Sequence, residues 1–187
     1  FSPRVLAASL RSVDKKSARP CSHPVAVRVG EAVIDYVVVK WLHILSSTLL
    51  FGTGIGTAFY MFSASLTRDS AIAAAVTRNV VTADWIFTAT TIVIQPLTGF
   101  YLVYLAEIPV TSRWVMWSTV LYLIAGTCWL PVVWLQIRMH RLAADASNRK
   151  DGLPPLYWQY FRFWIGLGIP AFIALVIVFY LMVAKPI

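Results

Sequence analysis

Long apolar stretches, separated by short polar segments, occupy the chain from residue 33 to its end. Four of them approach or exceed the roughly 20 residues that a helix needs to cross the hydrocarbon core of a bilayer. None alternates apolar and polar residues as a half-buried β-strand does, and none offers a continuous polar face to water. The pattern predicts an all-α protein, an integral membrane four-helix bundle, with spans at about residues 33–62, 80–105, 113–137 and 161–183.

The composition agrees with a membrane protein. The 187 residues are 59% hydrophobic and only 13% charged, whereas soluble domains carry about 25% charged residues. So few charges could not cover a surface that faces water, so residues 33–187 are expected to form one domain in contact with the lipid bilayer. Tryptophans lie near the predicted span ends, where an interfacial aromatic belt forms: Trp41, Trp85, Trp114, Trp117, Trp158 and Trp164.

The first 32 residues differ from the rest of the chain. They are rich in serine and basic residues, poor in acidic ones, and contain no long apolar run. We interpret residues 1–32 as a basic, disordered N-terminal arm that the membrane domain does not need. The same composition fits a transit peptide or upstream sequence that does not belong to the working protein. The basic residues of the arm are Arg4, Arg11, Lys15, Lys16, Arg19 and Arg28.

Basic residues also cluster around the connections that follow the first and third spans. Cytoplasmic loops of membrane proteins carry an excess of Lys and Arg. We therefore expect a protein of the bacterial inner membrane with these two connections in the cytoplasm and both termini outside. The net charge of +8 needs no nucleic-acid partner, because topology and anionic headgroups account for it. The residues concerned are Arg68, Arg78, Arg138, Arg141, Arg149, Lys150 and Arg162.

The second span carries a polar stripe. Asp84, Thr88, Thr91, Gln95 and Thr98 follow one another at spacings of four, three, four and three residues, which places them on one face of an α-helix. Such a face is expected to point into the bundle, because polar atoms turned toward lipid would lose their hydrogen bonds. The stripe is either a set of contacts that hold helices together, with Asp84 near the headgroups, or a polar track for a proton or a small ligand.

The first span contains two residues that are costly inside a membrane. Lys40 and His43 lie on one face, with Ser47 one turn further along. Lys40 can extend its charge to the interface, whereas His43 can bind metal or haem iron, move a proton, or bond to a neighbouring helix. His140 lies about 25–30 Å from His43 in depth, because the first and third spans run in the same direction. The two histidines of one chain therefore cannot hold the same haem.

Two further features concern helix packing. Gly52 and Gly56 form a GxxxG face, at which another helix can approach closely. The glycines at positions 52, 54 and 56 do not form a dinucleotide-binding loop, because no strand precedes them. In the third span, Tyr122, Trp129, Gln136 and His140 lie in near-register, and Pro131 is expected to kink the helix.

Several segments resemble a bacterial family of predicted integral membrane proteins, the DUF2269 family, whose function is unknown. The likeness covers about residues 35–183 and implies a membrane protein without a known activity. It rests on residues 39–46 (VKWLHILS), 50–54 (LFGTG), 84–87 (DWIF), 95–99 (QPLTG) and 129–137 (WLPVVWLQI).

The Lys-x-x-His opening of the first span is more distantly similar to two other families, the haem-binding membrane protoporphyrinogen oxidases and the copper-resistance membrane proteins. This resemblance implies that His43 is an axial haem ligand, its metal being the haem iron, and that Lys40 is its polar neighbour. Copper transport would favour motifs rich in Met and His, and the chain contains only four Met.

These observations give one main hypothesis and two alternatives. The main hypothesis is a polytopic membrane protein that binds a b-type haem or a quinone near His43 in a redox-linked process. The first alternative is a non-catalytic accessory subunit of a larger membrane complex, which packs against other membrane subunits or a second copy through its aromatic faces and the GxxxG face of Gly52 and Gly56. The second is a permease for a small solute or protons that uses the stripe of the second span.

Overall fold

The computed structural model describes residues 24–185, and their side chains from residue 33 onward. The second of the two units into which the chain divides begins at Tyr36 and is compact. Residues 1–23 of the predicted arm lie outside the described part, and residues 24–32 are helical. The candidate functional residues all belong to the second unit.

Helices account for nearly all of the described chain, and no strand occurs among residues 24–185. Helix α1 is Pro24–Leu66, α2 is Ser70–Ala83, α3 is Ala89–Leu105, α4 is Arg113–Asn148 and α5 is Pro155–Ala184. A π-helical segment, Asp84–Thr88, joins α2 to α3 without a break. Four helical rods therefore have the length and composition to cross a membrane, at Val33–Leu66, Ser70–Leu105, Arg113–Asn148 and Pro155–Ala184. The predicted all-α, four-helix membrane fold is confirmed.

Each rod is longer than its predicted span, mainly at the end next to the loops 67–69 and 149–154. The second rod begins at Ser70 and not near residue 80, because the side chain of Asp69 caps it by accepting hydrogen bonds from the backbone N–H groups of Ala71 and Ile72 at 2.8 and 3.1 Å. Helix α5 begins at Pro155, a residue suited to the first turn of a helix. Hydropathy alone marks the part of a helix that is apolar enough for lipid, so it does not indicate polar turns beyond that part.

The end of the bundle next to the loops 67–69 and 149–154 has a close-packed core, which we call the packed end. All four rods contribute buried side chains to it. The hydroxyl of the fully buried Tyr157 lies 2.8 Å from the hydroxyl of Ser65. This hydrogen bond joins α1 to α5 inside an otherwise apolar core. The cluster consists of Met61, Ala73, Val80, Leu135, Met139, Ala143, Tyr157, Phe161 and Trp164.

Along the rods, many large apolar side chains face outward. Leu97, Trp117, Leu130 and Phe163 each expose 60% or more of their surface. A soluble protein rarely exposes so much contiguous apolar surface, whereas hydrocarbon chains are its natural environment. The outward-facing residues are thus the lipid-contacting surface of an integral membrane protein.

Candidate functional site

The predicted polar stripe on the second rod divides into two parts with different surroundings. The part nearer the end of α3 meets α1. Ser46, which is 5% exposed, donates a hydrogen bond to Oε1 of Gln95, and Nδ1 of His43 lies 2.8 Å from the Thr98 hydroxyl. We call these four residues the α1–α3 contact. They link the two helices through paired polar groups.

Gly99 explains how the His43 ring fits against α3. A Cβ atom at this position would lie 3.1 Å from Cε1 of His43, closer than ordinary van der Waals contact. The missing side chain of Gly99 therefore lets the imidazole lie directly on the helix backbone. Lys40 does not take part in this contact; its Nζ lies 5.7 Å from the centre of the Tyr36 ring.

Thr91, in the middle of the stripe, is turned inward but bonds within its own helix. Only 3% of its surface is exposed, and its hydroxyl donates to the backbone carbonyl of Phe87 at 2.6 Å. Threonine satisfies its hydroxyl in this way in membrane helices, where the next turn offers the nearest acceptor. Thr91 thus separates the two parts of the stripe and contributes no bond between helices.

The other part of the stripe lies in the π-helical segment. Here the N–H of Ala89 bonds to the carbonyl of Asp84, which widens the turn; such turns occur frequently at functional sites. Asp84 and Thr88 are about 95% buried, and the Thr88 hydroxyl donates to Oδ1 of Asp84 at 3.0 Å. Asp84 lies fourteen residues after Ser70, about 21 Å along the axis. The expectation that Asp84 lies near a helix end assumed a span that begins near residue 80. The observed rod begins ten residues earlier, so Asp84 lies well inside it.

Asp84 and Thr88 form part of the wall of a cavity between all four rods. Its volume is about 540 Å³, within the range of small-molecule sites. Apolar residues such as Phe51, Ile92 and Phe172 make up most of the lining. The polar residues that line it are Thr57, whose hydroxyl donates to the Thr53 carbonyl of its own helix, and Asp84, Thr88, Tyr122, Trp129, Gln136 and Trp164. We call the last six the polar wall.

Three atoms of the polar wall are buried without a hydrogen-bond partner in the described part of the protein. They are Oε1 of Gln136, Nε1 of Trp129 and Nε1 of Trp164. An unpaired buried donor or acceptor costs about 1–3 kcal/mol, so native proteins seldom leave several at one place. By contrast, the Tyr122 hydroxyl in the same wall donates to the Ile92 carbonyl at 2.7 Å. The wall therefore offers two free donors and one free acceptor to a bound molecule.

Trp129, Gln136 and Trp164 were not among the site residues expected from the sequence. The seven-residue spacing of Tyr122, Trp129 and Gln136 was a usable signal, because it marks one face of α4. Nothing in the sequence connected this face with Asp84, since that contact depends on the extent of the second rod. The Gln136 amide lies next to the Asp84 carboxyl.

The remaining candidate residues lie elsewhere. His140 belongs to the packed end, where its Nδ1 is 3.2 Å from the Ala74 carbonyl. Ala74 and Thr98, the partner of His43, are twenty-four residues apart on one rod, about 36 Å along its axis, so the two histidines occupy different sites. Among residues 24–185, no three His, Cys, Asp or Glu side chains are grouped to hold a metal ion.

The glycine face of α1 is open in this structure. A Cβ atom at Gly52 or Gly56 would meet no atom of the described chain within 4 Å. Neither glycine is used for packing against the rest of this chain. Their predicted role in packing against another helix stays a prediction.

Comparison with known proteins supports a family assignment. Neither a search of curated proteins nor one of solved structures found a match. A family model described as a predicted integral membrane protein, DUF2269, matches residues 37–186. The likeness to haem-binding oxidases and copper-resistance proteins stays a hypothesis, because this match does not bear on it. The match covers most of the chain and all four rods, and the chain therefore belongs to the DUF2269 family of predicted integral membrane proteins.

Proposed function

We propose that the protein binds a small, largely apolar molecule inside the membrane, in the cavity between the four rods. The observation that carries this proposal is Oε1 of Gln136, an unpaired acceptor on a side chain that is 97% buried and lines the cavity. Burial without a partner is unfavourable, and a ligand that supplies a donor would remove that cost. The two unpaired indole N–H groups in the same wall support the same conclusion.

The free groups define the chemistry of the ligand. Oε1 of Gln136 accepts hydrogen bonds, whereas the indole N–H groups of Trp129 and Trp164 donate them. A hydroxyl group, such as that of a phenol or a quinol, can donate to Gln136 and accept from the indoles, whereas the carbonyl of a quinone can only accept from the indoles. The rest of the lining is apolar and suits a hydrocarbon body. Binding of a quinone in its reduced quinol form, expected from the sequence near His43, is therefore better supported in the cavity.

Haem binding at His43 has weaker support. The ring of His43 bonds to Thr98 and lies against Gly99, contacts that give this histidine a role between two helices. His43 does not line the cavity. Absorbance of protein purified from haem-replete cells tests the alternative: a Soret band that is lost in His43→Ala and kept in His140→Ala would establish haem ligation by His43.

Extraction of bound compounds tests the cavity proposal. The full chain, purified in mild detergent, is extracted with organic solvent and its lipid-soluble compounds are identified by mass spectrometry. We expect a hydroxyl- or carbonyl-bearing compound to be enriched with the wild type and depleted with Gln136→Leu. Ser118→Ala is the matched control, because Ser118 Oγ is also buried and unpaired but lies outside the cavity. Enrichment that is equal in all three proteins would contradict the proposal.

The location of the protein is part of the same proposal. We place it in a bacterial inner membrane with the packed end in the cytoplasm and both termini outside. The basic residues around the loops 67–69 and 149–154 support this orientation, because positive loops stay on the cytoplasmic side. Single cysteines introduced at Asn148 and Ala184, in a background without Cys21 and Cys128, test it. Labelling of residue 148 by an impermeant reagent in intact cells would show that the protein has the opposite orientation.

The accessory-subunit alternative has one supporting observation. The open face at Gly52 and Gly56 leaves room for a helix of another subunit or of a second copy. Disulfide crosslinking between copies with a cysteine at position 52, or pull-down of a membrane partner that Gly56→Leu no longer retains, would favour it. A monomer without partners in a nanodisc would count against it.

A further inference from the structure

We propose that the ligand enters the cavity sideways from the bilayer, between α1 and α5, and that it carries a long apolar tail which stays in this opening. This inference rests on the proposed function and names the class of ligand: a neutral amphiphile with a hydroxyl-bearing head. It follows from three features of the two helices that form this side of the cavity.

The first feature is where the cavity lining is exposed. On α1, Ile55 and Phe59 line the cavity yet expose 44% and 64% of their surface. On α5, Ile169 and Phe172 do the same with 55% and 45% exposed. The opposite wall is closed, since Asp84, Thr88 and Gln136 are each at most 5% exposed. The cavity therefore opens between α1 and α5, on the side facing away from its buried polar groups.

The second feature is a pair of aromatic contacts that bound this opening. Phe51 of α1 stacks on Phe172 of α5 with ring centroids 5.4 Å apart. Phe62 stacks on Phe161 at 5.8 Å, next to the packed end. Each helix runs eleven residues from one contact to the other, about 16 Å. We call the gap between the two contacts the lateral window.

The third feature is a glycine on each side of the lateral window. Gly54 of α1 and Gly168 of α5 line the cavity. A Cβ atom at either position would meet no atom of the described residues within 4 Å. The two backbones thus leave a gap at the height of the cavity, where ordinary side chains would narrow it.

These features determine how a ligand would lie. Its hydroxyl group would bond to Gln136 and the indole of Trp129, on the side away from the window, and its tail would follow the apolar residues toward the window. The window faces hydrocarbon, because the surrounding exposed residues of α1 and α5 are apolar. At the packed end, Phe161 and Trp164 separate the cavity from the cytoplasmic loops. A charged or water-soluble molecule would therefore have no matching route.

Photolabelling tests this inference with the full chain in nanodiscs. The probe is para-dodecylphenol with a photoreactive diazirine in its tail, and para-cresol serves as the same head without a tail. We expect the tail to label residues 51–62 and 161–172, and Gln136→Leu to weaken binding of both compounds several-fold. Gly168→Phe should reduce labelling by the long probe several-fold while para-cresol still binds, because only the window is filled.

Gly166→Phe is the matched control, since Gly166 is equally open but does not line the cavity. Gly54→Phe fills the window from the other helix and replaces Gly168→Phe if that variant does not fold. Equal labelling of the Gly166 and Gly168 variants, or labelling confined to α3 and α4, would overturn lateral entry while Gln136-dependent cresol binding keeps the proposed function. Absence of Gln136-dependent binding for both compounds would overturn the proposed function and, with it, this inference.

Discussion

The α1–α3 contact and the polar wall of the cavity each include two residues of the polar stripe on the second rod, yet the two sites differ in how their polar atoms are paired. At the α1–α3 contact, His43 meets Thr98 and Ser46 meets Gln95. At the polar wall, one amide oxygen and two indole N–H groups have no partner in the described chain. Paired groups hold helices together, whereas unpaired buried groups beside a cavity indicate a ligand. The same stripe thus serves two purposes.

The glycines of the two regions also differ, in whether another side chain fills the space beside them. The space left by the missing side chain of Gly99 is occupied by the His43 ring. The corresponding space at Gly54 and Gly168 is empty within 4 Å in the described protein. A glycine that another side chain fills improves helix packing, whereas a glycine that faces a cavity keeps it accessible. Substitutions at the two kinds of glycine should therefore have different consequences.

The largest effect on stability is expected for Gly99→Leu. The leucine side chain would collide with the His43 ring, and overpacking of this kind costs about 1–3 kcal/mol. Gly166→Leu is the control, because the same substitution there extends into open space. The free energy of unfolding, measured by titration with SDS, should fall for Gly99→Leu alone. Equal stability of the two variants would show that His43 does not need the space at Gly99.

A smaller loss of stability is expected for Thr98→Val. The substitution leaves Nδ1 of His43 without its partner, and hydrogen bonds between membrane helices contribute about 0.6 kcal/mol on average and at most about 1.7. Thr90→Val is the control, because the exposed Thr90 hydroxyl also bonds to its own helix but to no other helix. The difference between the stability losses of the two variants gives the contribution of the hydrogen bond between Thr98 and His43. If the two lose equal stability, the His43–Thr98 bond contributes nothing.

The sequence predicted the fold better than the site. Apolar length alone was enough for four spans, because lipid imposes that length on every helix. The face of the stripe also followed from its spacing. What the sequence did not contain was the extent of the second rod, which depends on the Asp69 cap and places Asp84 opposite Gln136. The partners of His43 and Gln136 lie more than forty residues away, and no local pattern encodes such contacts.

Gln136→Leu should separate stability from binding. The substitution removes an unpaired oxygen together with the contact between the Gln136 amide and Asp84, so the two effects oppose each other and the net change stays below about 1 kcal/mol. Gln95→Leu, in contrast, breaks the bond with Ser46 and should lower stability without loss of ligand. The thermal midpoint and the amount of extracted ligand, measured on the same preparation of each variant, check the two predictions. A strongly destabilised Gln136→Leu would mean that this residue belongs to the structural contacts of the bundle.

The smallest change in stability, within about 0.5 kcal/mol, is expected for Trp129→Phe. Phenylalanine keeps an aromatic ring in the lining and removes an N–H group that has no partner in the described chain, so no protein hydrogen bond is lost. Ligand affinity should nevertheless fall several-fold, because the bound molecule loses a donor. Trp117 lies on the same helix but is exposed and does not line the cavity. Trp117→Phe should therefore change neither the stability nor the ligand affinity. Direct binding of para-cresol to the two variants measures the difference. If they bind it equally well, the Trp129 N–H faces no ligand, and Gln136 and Trp164 remain as the residues of the polar wall with unpaired atoms.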